Sequence, residues 1–303
     1  MIAFYDQCAI VYLLTYLSNA YTTDGNPTLQ LPIFRPRSTI IPPNYSEFTS
    51  LEEFNLAAPK GYTSDPFEEI FFGPSKVITI NLDKRKVDEI RQLIPDVKVS
   101  TNDILHGILL KITARFHADN SHSTTEDKQI PPNCRVLFAR NMRIPLGLGS
   151  EIVGDYARLQ CLESTIMEVQ NSAIAELSMA SRATLADDIG DKYIRECKWF
   201  LEYKDRYGAL CGSPDFMADT GAVFISNWSS FPYENILFDK ISPSELLLSP
   251  TKYTSSQAMF VVIAFRGQGL ERSLVVTINT LHDGIISATK AISEETGLFS
   301  YEE

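Results

Sequence analysis

Lys76-Val77-Ile78-Thr79-Ile80-Asn81-Leu82-Asp83 is the stretch that decides the fold class of this chain. Val77 to Leu82 is a β-branched run suited to the pleated surface of a strand. Asp83 then offers a carboxylate to the unpaired amides of a helix that carries Val87, Ile90 and Leu93 on one face and stops near Pro95. A second helix begins at Ser100-Thr101-Asn102-Asp103, whose short polar side chains can satisfy its first N–H groups, and runs through Ile104, Ile108, Leu109 and Ile112. A strand followed at once by capped helices is the unit of a layered α/β or α+β domain.

Downstream, a polar loop over 119–133 leads to Arg135–Arg143, which contains the strand-like Val136-Leu137-Phe138-Ala139. Two helices are expected at 162–182 and 186–203, the second placing Ile189, Tyr193, Cys197 and Leu201 four apart on one face. Strands return at 221–227, 258–265 and 273–279, a closing helix starts at Asp283, and no internal repeat is present. Upstream, residues 22–66 lack periodicity and contain Pro27, Pro32, Pro36, Pro42, Pro43, Pro59 and Pro66. Prolines so spaced bar long helices and deprive sheets of donors, so the segment reads as an extended crossover linker with a short helix near Leu51–Leu56. Residues 7–20 read as a helix, apolar from Ala9 to Leu17. A secretory signal is the competing reading, with Leu17-Ser18-Asn19-Ala20 as a cut site, but Asp6 interrupts the start and no Lys or Arg forms a positive region. The run also falls short of the ~20 apolar residues that span a bilayer. The expectation is a buried helix of an α/β unit.

The 303 residues are 44% apolar and 21% charged, as in ordinary globular proteins. A formal charge of −11 argues against the broad basic surface that nucleic acid or an anionic membrane requires. Cys8, Cys134, Cys161, Cys197 and Cys211 have no paired spacing, so no zinc cluster or disulfide framework is suggested and the cytoplasm is the expected compartment. No Gly-x-Ser-x-Gly elbow, phosphate-binding Gly-Lys-Ser/Thr loop or Gly-x-Gly-x-x-Gly fingerprint occurs. The carboxylate pairs Asp187-Asp188 and Glu68-Glu69 have no histidine at ligand spacing, and no metal site is expected.

Five short blocks carry a family likeness. They are Ile2-Ala3-Phe4-Tyr5-Asp6 running into Gln7–Leu14, Ser100-Thr101-Asn102-Asp103, Asn141-Met142-Arg143, Gly154-Asp155, and Ile225-Ser226-Asn227-Trp228 before Phe231-Pro232-Tyr233. In this order they resemble the BAHD-type acyl-CoA-dependent acyltransferases, most of all the fungal trichothecene 3-O-acetyltransferase branch. The resemblance implies a chloramphenicol-acetyltransferase-like two-domain α/β fold. It implies acyl transfer from a coenzyme A thioester to an alcohol, with acyl-CoA as co-substrate and no permanently bound cofactor. In the family's His-x-x-x-Asp motif the histidine is the general base and the aspartate holds an arginine. Here Ile2 stands at the histidine position, while Asp6 and Arg143, with Asn141, are the implied structural group. By the same resemblance Ser100 and Thr101 approach coenzyme A, Ser226 contacts the acceptor, and Trp228 supports the oxyanion. Gly154-Asp155 departs from the family's Gly-Asn, and Asn235–Lys240 keeps at most the phenylalanine of its Asp-Phe-Gly-Trp-Gly.

Ile2 cannot accept a proton, and loss of a general base removes about 10²–10⁴-fold of rate. His106, His117, His122 and His282 are the places to look for a substitute, and each reads as a cap or surface histidine. The expected organisation is 1–24 as a remnant of the N-terminal acyltransferase domain, 25–66 as linker and 67–303 as the C-terminal domain, so that the first domain is incomplete. The chain is thus expected to be a truncated or a degenerate member. The function the resemblance implies is impaired O-acyl transfer in secondary metabolism or, alternatively, that of a non-catalytic ligand-binding protein or gene fragment, expected as a monomer with small-molecule partners and no nucleic acid or membrane partner.

Overall fold

The computed structural model describes residues 7–23, 25, 27–41, 76–120, 133–154, 156–185, 190–191, 193–195, 197–198, 222–229, 236, 260–266, 274–280 and 282–302. The first elements are α1 (Gln7–Thr22), β1 (Ile33–Phe34), a 3-10 turn (Arg37–Ile40), β2 (Lys76–Leu82), α2 (Lys84–Leu93) and α3 (Thr101–Asn120). Then follow β3 (Asn133–Asn141), β4 (Ile152–Val153), β5 (Ala157–Thr165), α4 (Ile166–Asn171) and α5 (Ile174–Ala183). The chain closes with β6 (Ala222–Asn227), β7 (Phe260–Arg266), β8 (Leu274–Thr280), α6 (Asp283–Thr296) and β9 (Phe299–Glu302).

Seven strands form one sheet in the order β5-β3-β6-β7-β8-β2-β9. Its centre is parallel, β3 to β6 and β6 to β7, and the outer pairings are antiparallel. Side chains alternate as a strand requires: Ile78, Ile80 and Leu82 are buried opposite Ile278, Val276 and Leu274. Val136 and Phe138 pair with Val223 and Ile225 and join the same core. Against this face lies α3, with Ile104, Leu105, Ile108, Leu109, Leu110 and Ile112 all wholly buried. It is apolar almost all round because α5 and α6 flank it as well as the sheet. Each such side chain contributes about 1.5–3 kcal/mol by leaving water.

The strand, cap and helix expected at 76–94 form as read, with Asp83 accepting the Arg85 N–H at 2.7 Å. Leu93 is the exception. It is 73% exposed, and Ile94, just past the helix end, packs on the core in its place, completing the spacing Val87, Ile90, Ile94. The helix expected over 162–182 is a correction: its first residues belong to β5, where Gln160 and Leu162 are buried and Cys161 and Glu163 exposed. Nine residues of register with β3 fix that stretch as strand. Thr165 and Glu168 then form a capping box that starts α4, and Ser172 separates it from α5. Residues described between 190 and 198 are helical, with Tyr193 and Cys197 buried beside Met142, Ile152 and Tyr156. The short helix near 51–56 and nearly all of the 119–133 loop lie outside the described residues.

The buried helix expected at the N-terminus is also corrected. Val11 and Ser18 face inward, but Leu14, Leu17 and Tyr21 are 40%, 56% and 55% exposed. Leu31, Ile33 and Phe34 are exposed as well. Within the proline-rich stretch, β1 pairs in parallel with β4, Ile33 opposite Ile152. No helix among the described residues is long and apolar enough to cross a membrane.

Candidate active site

Where β3 ends, Asn141-Met142-Arg143 turns back on itself. The Asn141 carboxamide oxygen accepts the Arg143 backbone N–H at 3.0 Å. The Arg143 guanidinium is buried, donating from Nε to the Ile152 carbonyl at 2.8 Å and from Nη2 to the Gly154 carbonyl at 2.9 Å. It also lies over the Tyr156 ring, 5.1 Å from its centroid. Gly154 is required for space: a Cβ there would sit 2.7 Å from the Arg35 carbonyl oxygen. Tyr156 donates its hydroxyl to that same oxygen at 2.8 Å, so the post-strand segment clasps the linker at Arg35. Asp6, the expected partner of Arg143, and Ile2 both lie outside the described residues.

The start of α3 is a closed polar knot. Ser100 Oγ accepts the Asp103 N–H at 3.3 Å, while Asp103 Oδ2 accepts from the Ser100 N–H and hydroxyl at 2.6 and 2.7 Å. This is a capping box with aspartate in the glutamate's place. Asp103 is wholly buried and also receives Arg182 Nη2 at 2.5 Å and the Ser181 hydroxyl at 3.3 Å. The Ser100 hydroxyl is thereby spent on the helix. Thr101 differs, since its Oγ1 accepts from Arg91 Nη2 at 2.8 Å and its hydroxyl hydrogen remains to be donated.

Alternation carries the core face of β6 through Val223 and Ile225 to Asn227, and places Ser226 on the other face. Asn227 Nδ2 donates to Asn102 Oδ1 at 2.7 Å. Its Oδ1 accepts both the N–H and the hydroxyl of Ser229, at 2.8 and 2.6 Å. On the opposite side, Trp228 Nε1–H donates to Ser226 Oγ at 2.7 Å. The structure thus brings together two blocks 125 residues apart, the start of α3 and the end of β6. Both lie where the parallel centre of the sheet ends, the region in which open α/β sheets hold ligands.

His106 lies one turn into α3, its ring 4.4 Å from that of Phe138. Because the Ser181 hydroxyl donates to Asp103, the 2.8 Å contact between His106 Nδ1 and Ser181 Oγ makes Nδ1 the protonated nitrogen. Nε2 is buried without a partner. Burial lowers the imidazole pKa to about 4, with the Asp103 charge opposing the shift. A wholly buried base this weak is a core residue. His282 is an exposed side chain beside Phe116, His117 is buried in the same group, and His122 lies outside the described residues. Asn102, Asn227 and the Asp103–Ser181–Arg182 group were not among the site residues read from the sequence. Asn227 had a signal, because its place two beyond Ile225 puts it on the helix-covered face; Ser181 and Arg182 had none.

No family model matches the chain, and no curated protein sequence matches it. Solved structures do. F. graminearum TRI101, complexed with coenzyme A and T-2 mycotoxin, aligns with a TM-score of 0.72 at 13% identity over 98% of this chain and 64% of its own. F. sporotrichioides TRI101, complexed with coenzyme A and T-2, gives 0.67 at 14% identity over 98% and 65%. Vinorine synthase gives 0.55 at 13% over 94% and 60%. The chain therefore spans 60–65% of the length of these structures. It has their fold, an α/β fold as expected from the sequence.

Proposed function

We propose that this chain is built for acyl-CoA-dependent O-acyl transfer, from a coenzyme A thioester to a small-molecule alcohol of secondary metabolism. The carrying observation is the Asn102–Asn227 hydrogen bond, which joins the start of α3 to the end of β6; we read the first as the donor side and the second as the acceptor side. The likeness to TRI101 structures complexed with coenzyme A and T-2 supports the same reading. Thr101 meets the coenzyme, and Ser100 supports it as the helix cap. Ser226, with its oxygen already accepting from Trp228, donates its hydroxyl hydrogen toward the substrate oxygen. Trp228 stands behind it as the group that orients Ser226. Asp6, Asn141 and Arg143 act as the structural group of the His-x-x-x-Asp motif, and the protein acts as a cytoplasmic monomer with 25–66 linking 1–24 to 67–303.

A second reading, ligand binding without turnover, is favoured by Ile2 at the family's base position and by the burial of His106. Absence of the base lowers the rate about 10²–10⁴-fold. Calorimetry with coenzyme A, paired with a thioester-consumption assay on acetyl-CoA and a trichothecene alcohol, separates the two readings. Binding with turnover establishes the transferase, binding alone establishes the non-catalytic form, and neither refutes both.

A further inference from the structure

Asn227 makes three hydrogen bonds in two directions, and their arrangement is that of a hinge pin. Through Oδ1 it closes the turn that carries Trp228 and Ser229, at 2.8 and 2.6 Å. Through Nδ2 it fastens that turn to Asn102, the second residue of α3, at 2.7 Å. Asn102 is flanked by Thr101, whose Oγ1 accepts from Arg91, and by Asp103, which is locked into the Ser100–Ser181–Arg182 knot. The start of α3 is therefore rigid on its inner side. The turn after β6 is held to it by a single side-chain bond among the described contacts of Asn227. Ser226 and Trp228 lie on the opposite face and are linked to each other. The Asn227 carboxamide is thus the described side-chain link from Asn102 to the turn that carries Trp228.

We propose that Asn227 is a positioning residue that registers the Ser226–Trp228 turn against the first turn of α3, so that occupation of the coenzyme side is felt on the acceptor side. The inference rests on the functional reading above, which places coenzyme A at Thr101. By linkage, an effect of coenzyme A on the acceptor side implies an equal effect of acceptor on coenzyme affinity.

Two tryptophans, Trp199 and Trp228, make the test direct. Protein labelled with 5-fluorotryptophan gives two fluorine resonances, that of Trp228 being assigned by its loss in Trp228→Phe. Coenzyme A is expected to shift the Trp228 resonance. In Asn227→Ala, calorimetry is expected to record coenzyme A binding still, while the Trp228 resonance stays unmoved. Asn227→Asp alone is expected to keep the shift, because the Asn102 amide can rotate to become the donor. Asn102→Asp alone is expected to keep it too, since Asn227 still donates. The double variant Asn102→Asp, Asn227→Asp sets two acceptors face to face and is expected to lose the shift, and it carries the test if Asn227→Ala does not fold. A Trp228 shift that survives in Asn227→Ala or in the double variant overturns the proposal, as does a stationary Trp228 in wild-type protein that binds coenzyme A. Wild-type protein that binds no coenzyme A overturns the functional reading and the proposal together, an outcome that the calorimeter alone identifies.

Discussion

At His106 the surroundings decide the chemistry before any substrate arrives. The imidazole is held by Ser181, faces Phe138 and has its pKa lowered by burial to about 4, against an ordinary value of 6.5. The sign of its effect on stability follows. Above pH 6.5 neither state protonates it; below that, the unfolded chain takes up a proton that the folded chain refuses until about pH 4. Stability is lost across that window, by about 3 kcal/mol at its acid end. Urea titrations at pH 7 and pH 4.5 are expected to show a smaller loss for His106→Gln than for wild type; equal losses would remove His106 as the cause. Asp103 is the other decisive side chain. Asp103→Ala strands the Ser100 amide and the Arg182 guanidinium and is expected to cost about 2–4 kcal/mol in the same assay. Ser100 as a cap was legible from its place before an apolar helix. The Asp103 knot was not, because two of its members arrive from α5 by tertiary packing alone.

Among the elements, β2, α2 and α3 were readable because periodicity and capping agreed. The α4–α5 region misled because the β5 sequence offers leucine, glutamine and glutamate, which suit helices, and only pairing with β3 makes it a strand. The small strand β9 was invisible for the same reason: four residues have no period, and their strand character comes from β2. Gly297, at φ +61°, turns the chain out of α6 so that Phe299–Glu302 can lie along Leu82–Thr79. Ser293 donates its hydroxyl to the Phe299 carbonyl at 2.5 Å and holds the junction. Deleting residues 298–303 uncovers the backbone edge of β2, and concentration-dependent association in sedimentation velocity is the expected result. A truncated chain that sediments like the full one would show that the edge is otherwise protected.

For the molecule as a whole, the order of the family-like blocks made the fold legible where the residues themselves did not fix a substrate. Specificity comes from pocket shape, which no run of sequence displays. The outer face of α1 and the β1 region present Leu14, Leu17, Tyr21, Leu31, Ile33 and Phe34 to solvent. Grouped apolar exposure of this kind promotes self-association. The pair Leu17→Glu and Phe34→Ser is expected to raise the concentration at which light scattering first appears, with helix content unchanged by circular dichroism.

The clasp at Arg35 bears on how the chain reaches this form. Its carbonyl meets the Tyr156 hydroxyl across 121 residues of sequence, and β1 lies parallel to β4 over a comparable span. Closing so long a loop for so few bonds gains little until the central sheet already exists to receive it. The N-terminal segment is therefore expected to dock last in folding and to open first. Amide protons of β1 should exchange with solvent well before those of β3 and β6, and Gly154→Ala should hasten that exchange while leaving the central strands as protected as before.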